Sequence, residues 1–192
     1  MLKRYHNLVA RCSRGDDIAD LAPEYLLVLN ALEEQQVTTK KAAFDFVELD
    51  AYVTSIQLIS LAILLGQGHT IIVRASILIG NFGVDALYDA ILARASVAIA
   101  GNSGLRHPTA FSPLYQVLRS RESDPFLLNR YLAGWYAGLQ RTYWHGNDKV
   151  PGGGYFGYWS FDAALAAKLG GISPNALTGH RHFPVDIVDW VP

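Results

Sequence analysis

Apolar positions recur at spacings of three and four along most of the 192-residue chain, the period of a helix with one buried side. From Asp16 to Glu34, the residues Ile18, Leu21, Tyr25, Val28, Leu29 and Leu32 fall on one stripe. Asp16, Asp17 and Asp20 stand in its first turns, where carboxylates complement the positive end of the helix dipole. Pro23 predicts a kink or a break within it. A second helix is predicted from about Lys40 to Leu65, polar on one side early and apolar nearly all round later, so that it starts at the surface and ends in the core. Gly66 to His69 reads as a turn, with Thr70 capping the next apolar helix. After a break at Asn81 to Gly83, the stripe resumes through Val84, Leu87, Tyr88, Ile91, Leu92 and Ala95.

The stretch from Gly101 to Pro113 reads as a loop between two halves. A helix from about Pro125 to Trp144 turns Leu128, Tyr131, Leu132, Trp135 and Leu139 inward. Pro151 to Gly154 forces a loop before a helix from about Tyr155 to Leu169, which Gly170 and Gly171 end. Ser173 and Pro174 form a cap and first-turn pair for a short helix. No apolar run shows clean strand alternation between hairpin turns, and no internal repeat is present. The expectation is an all-α fold: one compact bundle of roughly six to nine helices over residues 1–192, with halves at about 1–100 and 110–192.

Composition narrows the function classes. Hydrophobic residues make up 51% of the chain, enough to bury a sizeable core and to exclude intrinsic disorder. The net charge of -1 lacks the basic excess of a dedicated nucleic-acid binder. The single cysteine, Cys12, excludes an internal disulfide and a thiolate-rich zinc site. The opening MLKRYHNLVARCSRGDD is basic without a continuous apolar stretch, unlike a secretory signal. The most apolar run, Ile56 to Leu65, is about half of the roughly 20 residues a spanning helix needs. The expectation is a protein of the reducing cytoplasm, with attachment of Ile56–Leu65 to a membrane surface as an alternative.

Catalysis needs convergent groups, and the candidates are sparse. His180, His182 and Asp186 are the nearest approach to a metal constellation, and they define the alternative reading, a metal-dependent hydrolase. Pro184 interrupts that group, no HExxH motif supports it, and His180 is placed to cap the short helix before it. His145 and Asp148 beside Tyr143 and Trp144 suggest an acid/base pair, but rings at helix ends more commonly serve packing. Arg11 and Arg14 could activate the Cys12 thiol, against its reading as a small core residue. GNSG at 101–104 and PGGG at 151–154 lack the flanking strand and spacing of phosphate cradles, so no cofactor is expected.

Charge is segregated along the chain. Asp16, Asp17, Asp20, Glu24, Glu33, Glu34, Asp45, Glu48 and Asp50 are opposed within their segment only by Lys40 and Lys41. Such a run is either a solvated helix surface or a docking face for a basic partner. Among the aromatics, Trp144 and Trp190 lie near element ends and are the candidates for a solvent-facing hot spot.

Two carboxyl-terminal motifs carry a family resemblance. Tyr155-Phe156-Gly157-Tyr158-Trp159-Ser160-Phe161-Asp162-Ala163-Ala164, followed by Ala167-Lys168-Leu169, resembles a signature of the PoNi-type immunity proteins. His180 to Val188, HRHFPVDIV, is similar to their closing motif, and Ser13 to Asp16 and Leu58 to Ala62 fit their first half. Asp162 stands where the family more often has Glu, which keeps the carboxylate. The resemblance implies a helical, non-enzymatic antitoxin that binds and blocks a cognate DNase toxin of a type VI secretion or related polymorphic system. No direct nucleic-acid, membrane or small-molecule partner is then expected. Tyr158, Trp159, Asp162, His180, Pro184 and Asp186 read as structural, with hydrogen bonds tying the closing segment to the core. The nine acids read as the contact with the toxin, a phosphate-like surface for a basic cleft.

Overall fold

The structure, a computed structural model, describes residues 1–41, 44–97, 104–120, 124–151, 158–177 and 179–191. Its helices are α1 (Leu2–Arg14), α2 (Ile18–Thr39), α3 (Leu49–Leu64), α4 (His69–Ile79), α5 (Ala86–Arg94), α6 (Pro108–Arg119), α7 (Pro125–Gly138), α8 (Phe161–Gly170) and α9 (Val185–Asp189). Short 3-10 turns cover Asn147–Lys149 and Pro174–Leu177, and the described residues contain no strand. The fold is all-α, as the apolar period requires.

The centre is α3 packed on α8. In α3 only the first turn and Ile63 escape burial, so the helix is enclosed on every side. Its polar groups are satisfied in place. The hydroxyls of Thr54, Ser55 and Ser60 donate to the carbonyls of Asp50, Ala51 and Ile56 at 2.7–2.8 Å. Gln57 accepts from the buried Tyr5 hydroxyl, and Tyr52 donates to Asp85 Oδ1 at 2.9 Å. Asp85 also caps α5 through Tyr88 N and accepts from Arg106 N. In α8 every residue from Phe161 through Ala167 is buried, and Ala163, Ala164, Ala166 and Ala167 keep its bulk small where neighbours approach. Around this pair α1 packs on α2, α4 on α3, α6 on α5 and α7, and α9 on α8.

Several boundaries depart from the sequence expectation. The sequence reading does not anticipate α1, although Tyr5, Leu8, Val9 and Cys12 have helical spacing and the first three are buried. α2 runs on through Pro23 to Thr39. The predicted helix from Lys40 begins only at Leu49, because Phe44 and Phe46 turn into the core and the Asp45 carboxylate accepts from Val47 N at 2.9 Å, holding a tight turn. Gly68, not Thr70, is the N-cap of α4. Pro108 opens α6 and Pro113 lies inside it, so the predicted loop ends earlier. α7 stops at Gly138, six residues short of Trp144. The five residues expected inside it are all buried. The predicted helix from Tyr155 begins at Phe161, and Tyr158 to Ser160 are not helical. Tyr155 to Gly157 lie outside the described residues, as do 101–103 and 152–154 of the two glycine-rich stretches.

Candidate partner-binding cleft and acidic surface

A sharp corner between α1 and α2 builds one wall of a cleft of about 510 Å³. Gly15 ends α1 at φ 84°, a left-handed conformation that glycine adopts without a Cβ clash. The chain then turns so that Asp17 caps α2, its carboxylate accepting from Ala19 N at 2.9 Å. Leu21, Phe161, Phe183 and Ile187 give the cleft a buried apolar floor. Ile18, Val185, Trp159 and Trp190 form half-buried walls, and Asp17 and Asp186 are exposed at its edge. Cys12 lines the cleft too, and burial pushes its thiol up to about 12. Burial disfavours the thiolate, in line with the reading of Cys12 as a small packing residue.

The nine acids of the 16–50 segment have different duties. Asp16 is gripped by Arg11 Nε at 2.7 Å and by Arg14 Nε at 2.6 Å. Hydrogen bonds to these guanidiniums hold its carboxyl well below the usual range. Arg11 also reaches Glu24 at 2.9 Å, and Arg74 of α4 pairs with Glu33 at 2.5 Å. Three arginines from outside the segment thus offset part of its negative charge. Asp45 holds its turn and Asp50 accepts from Tyr143 N at 3.0 Å. Asp17, Asp20, Glu33, Glu34, Asp45 and Glu48 are exposed. Asp20 and Glu34, fourteen residues apart on α2, share one line of its outer surface at about 21 Å.

The carboxyl-terminal motif is a knot of buried hydrogen bonds. Asp162, 4% exposed, accepts from the Tyr131 hydroxyl, the Ser160 hydroxyl and its neighbour's Ala163 N. Burial raises its proton affinity, and these hydrogen bonds oppose that rise. Ser160 N donates to the His182 carbonyl at 2.8 Å, and His182 Nδ1 lies 2.9 Å from the Tyr158 carbonyl. The His182 ring stacks on Tyr136 at 9° and packs against Trp135, and burial lowers its pKa. Lys168 Nζ caps the end of α9, reaching the Trp190 and Val188 carbonyls at 2.7 and 3.2 Å. The expected ties between the closing segment and the core are present.

Residues 83–187, more than half of the chain, match the carboxyl-terminal family model of the PoNe immunity proteins (PoNi). The chain belongs to the PoNi family. No curated protein and no solved structure matches it. The matched window contains Tyr158, Trp159, Asp162, His180, Pro184 and Asp186 and none of the nine acids. The PoNi signature and the acidic segment nevertheless meet in space, since Asp16 and Asp17 line the same cleft as Trp159, Pro184 and Asp186.

Three assignments within the PoNi motifs change. Asp186 is exposed and makes no tie to the core among the described residues; the anchoring falls to His182, whose structural reading this matches. His180 caps the preceding turn through its backbone N–H to the Leu177 carbonyl, while its ring meets Asn129 Oδ1 at 2.8 Å. Tyr158 and Trp159 precede α8 and do not lie on it. His180, His182 and Asp186 are not assembled, and the described residues hold no group of three or more His, Cys, Asp or Glu fit for a metal. Asp148 accepts from the Tyr158 hydroxyl and His145 stacks on Tyr136 at 4.0 Å, in line with the packing reading of these residues. Trp144 is 2% exposed and no surface hot spot, whereas Trp190 lines the cleft. No helix among the described residues is long and apolar enough to cross a membrane, and Ile56 to Ala62 are buried in α3.

Sequence reading missed the cleft because its walls come from two distant segments. The one local signal was the pairing of Gly15 with Asp16 and Asp17, which marks a helix end followed at once by a helix start.

Proposed function

We propose that this PoNi-family protein neutralises a cognate DNase toxin, a type VI secretion effector, by binding its nuclease domain and performing no reaction itself. The observation that carries this reading is the match of residues 83–187 to the PoNe immunity proteins. The acidic surface supplies the physical rationale. A nuclease grips phosphates with lysines and arginines, and the exposed carboxylates of this segment present that cleft with charge of the same sign. Complementary potential also speeds encounter, which matters for an inhibitor that must reach a lethal enzyme before the chromosome does. Asp20, Glu34 and Glu48 contribute most strongly, because no ion pair among the described residues offsets them, whereas Asp16, Glu24 and Glu33 are already matched by arginine.

The test is the triple variant Asp20→Lys, Glu34→Lys, Glu48→Lys, titrated against the catalytically disabled nuclease domain of the cognate toxin. A tenfold or greater loss of affinity, about 1.4 kcal/mol, with an unchanged urea midpoint, is expected. Affinity within a factor of two of the parent would remove the acidic surface from the mechanism. Failure of the parent protein to bind or to protect cells from that toxin would remove the immunity reading for this pair.

A further inference from the structure

The cleft between the α1–α2 corner and the closing segment has features that packing alone does not call for. It is large enough for several side chains, and its apolar floor of Leu21, Phe161, Phe183 and Ile187 lies open between Trp159 and Trp190. Concave sites of this size, mostly apolar with a few convergent polar groups, are the usual form of a binding pocket. The indole Nε1 of Trp159 is buried, yet finds no acceptor among the described residues. That atom is enclosed by the protein, so the polar groups the cleft offers a ligand are the carboxylates at its edge. Asp17 and Asp186 flank the opening, exposed and engaged in no ion pair among the described residues.

These groups together specify a ligand chemistry. We infer that the cleft receives an extended segment of the cognate toxin carrying a lysine or arginine beside an apolar side chain. The apolar side chain covers the floor, and the cation sits between Asp17 and Asp186. The indole faces of Trp159 and Trp190 favour the same cation. Charge complementarity selects this occupant over an acidic or purely apolar peptide, because the carboxylates at the opening would otherwise be desolvated without a counter-charge. A central anchor in an apolar pocket edged by charge is also the usual anatomy of a hot spot. Within this arrangement the PoNi motif does more than hold the core: Trp159, Pro184 and Asp186 belong to the working surface. The inference rests on the immunity reading above, and it adds a site that the acidic face of α2 does not contain.

The experiment uses the whole protein and the disabled nuclease domain of the cognate toxin. Asp186→Arg, at an exposed position, is expected to weaken binding at least tenfold. A second measurement is independent of substitution. The four indole N–H signals of the 15N-labelled protein, identified by Trp→Phe variants, are followed as toxin is added. Trp159 and Trp190 should move as the segment packs against their rings, while Trp135 and Trp144, which lie outside the cleft, stay in place. If the parent binds the toxin while Asp186→Arg retains its affinity or the Trp159 and Trp190 signals stay put, the cleft inference is overturned and the immunity reading stands. If the parent does not bind the toxin at all, both fall together.

Discussion

Asp16 at the α1–α2 corner and Asp162 at the head of α8 are both carboxylates held by several donors, yet the protein moves their proton affinities in opposite directions. Asp16 is partly exposed and faces two guanidiniums, so its charged form is favoured. Asp162 is enclosed by Tyr131, Ser160 and α8, where neutral donors do not fully offset the loss of water. The difference shows two uses of one side chain. At the corner the carboxylate is a surface charge whose neighbours tune how negative the outer face is. In the motif it orients three donors and fixes how the closing segment meets the core. The first region is partly exposed and ion-paired; the second is a buried structural node.

The comparison is broken most severely at the aromatic that begins α8. Phe161 is 1% exposed, so Phe161→Ala is expected to cost about 3–5 kcal/mol of stability in urea unfolding, through lost burial and the cavity left behind. A loss under about 1 kcal/mol would mean that the α8 region is no tighter than the surface corner.

Asp162 sharpens the contrast. Asp162→Ala strands the Tyr131 and Ser160 hydroxyls and is expected to cost about 2–3 kcal/mol, whereas Asp162→Asn retains an acceptor and costs about 1 kcal/mol. The pH dependence separates the two effects. Because the folded pKa lies above the ordinary 3.8, the folded chain keeps a proton that the unfolded chain has released. Stability therefore declines as pH climbs from 3.8 through the folded value and levels off above it. Urea midpoints across that window should show the decline in the parent and its removal in Asp162→Asn.

Asp16 gives the smallest effect and the reverse slope. Its folded pKa is lowered, so its contribution is present above 3.8 and is lost as pH falls below that value. Asp16→Asn should flatten that acid limb by modestly lowering the urea midpoint near neutrality and converging on the parent in acid, and the neutral difference should shrink in 1 M salt, at a Debye length of about 3 Å. A large, salt-independent loss would show that the corner is a buried node like Asp162.

Much of the helical framework was legible along the chain because local periodicity encodes it. The Leu87–Leu92 stripe, the five inward residues at and after α7 and the stop at Gly170–Gly171 all stand where spacing and turn chemistry place them. Boundaries failed where a long-range contact overrode a local rule. Phe44 and Phe46 look like helix residues until the core draws them in, and Pro113 looks like a breaker until α6 absorbs it. Asp186 looks structural because it adjoins a motif, and only folding shows it at the edge of a cleft.

Order along a chain was enough to establish helices, the buried stripes, the lack of a local metal motif and the clustering of acids, since each depends on neighbours within a few residues. Which acids keep an uncompensated charge, and that Asp17 and Asp186 face the same opening, could not be read that way. Those facts depend on Arg74 meeting α2 and on the closing segment returning to the α1–α2 corner, contacts that exist only once apolar burial has brought distant segments together.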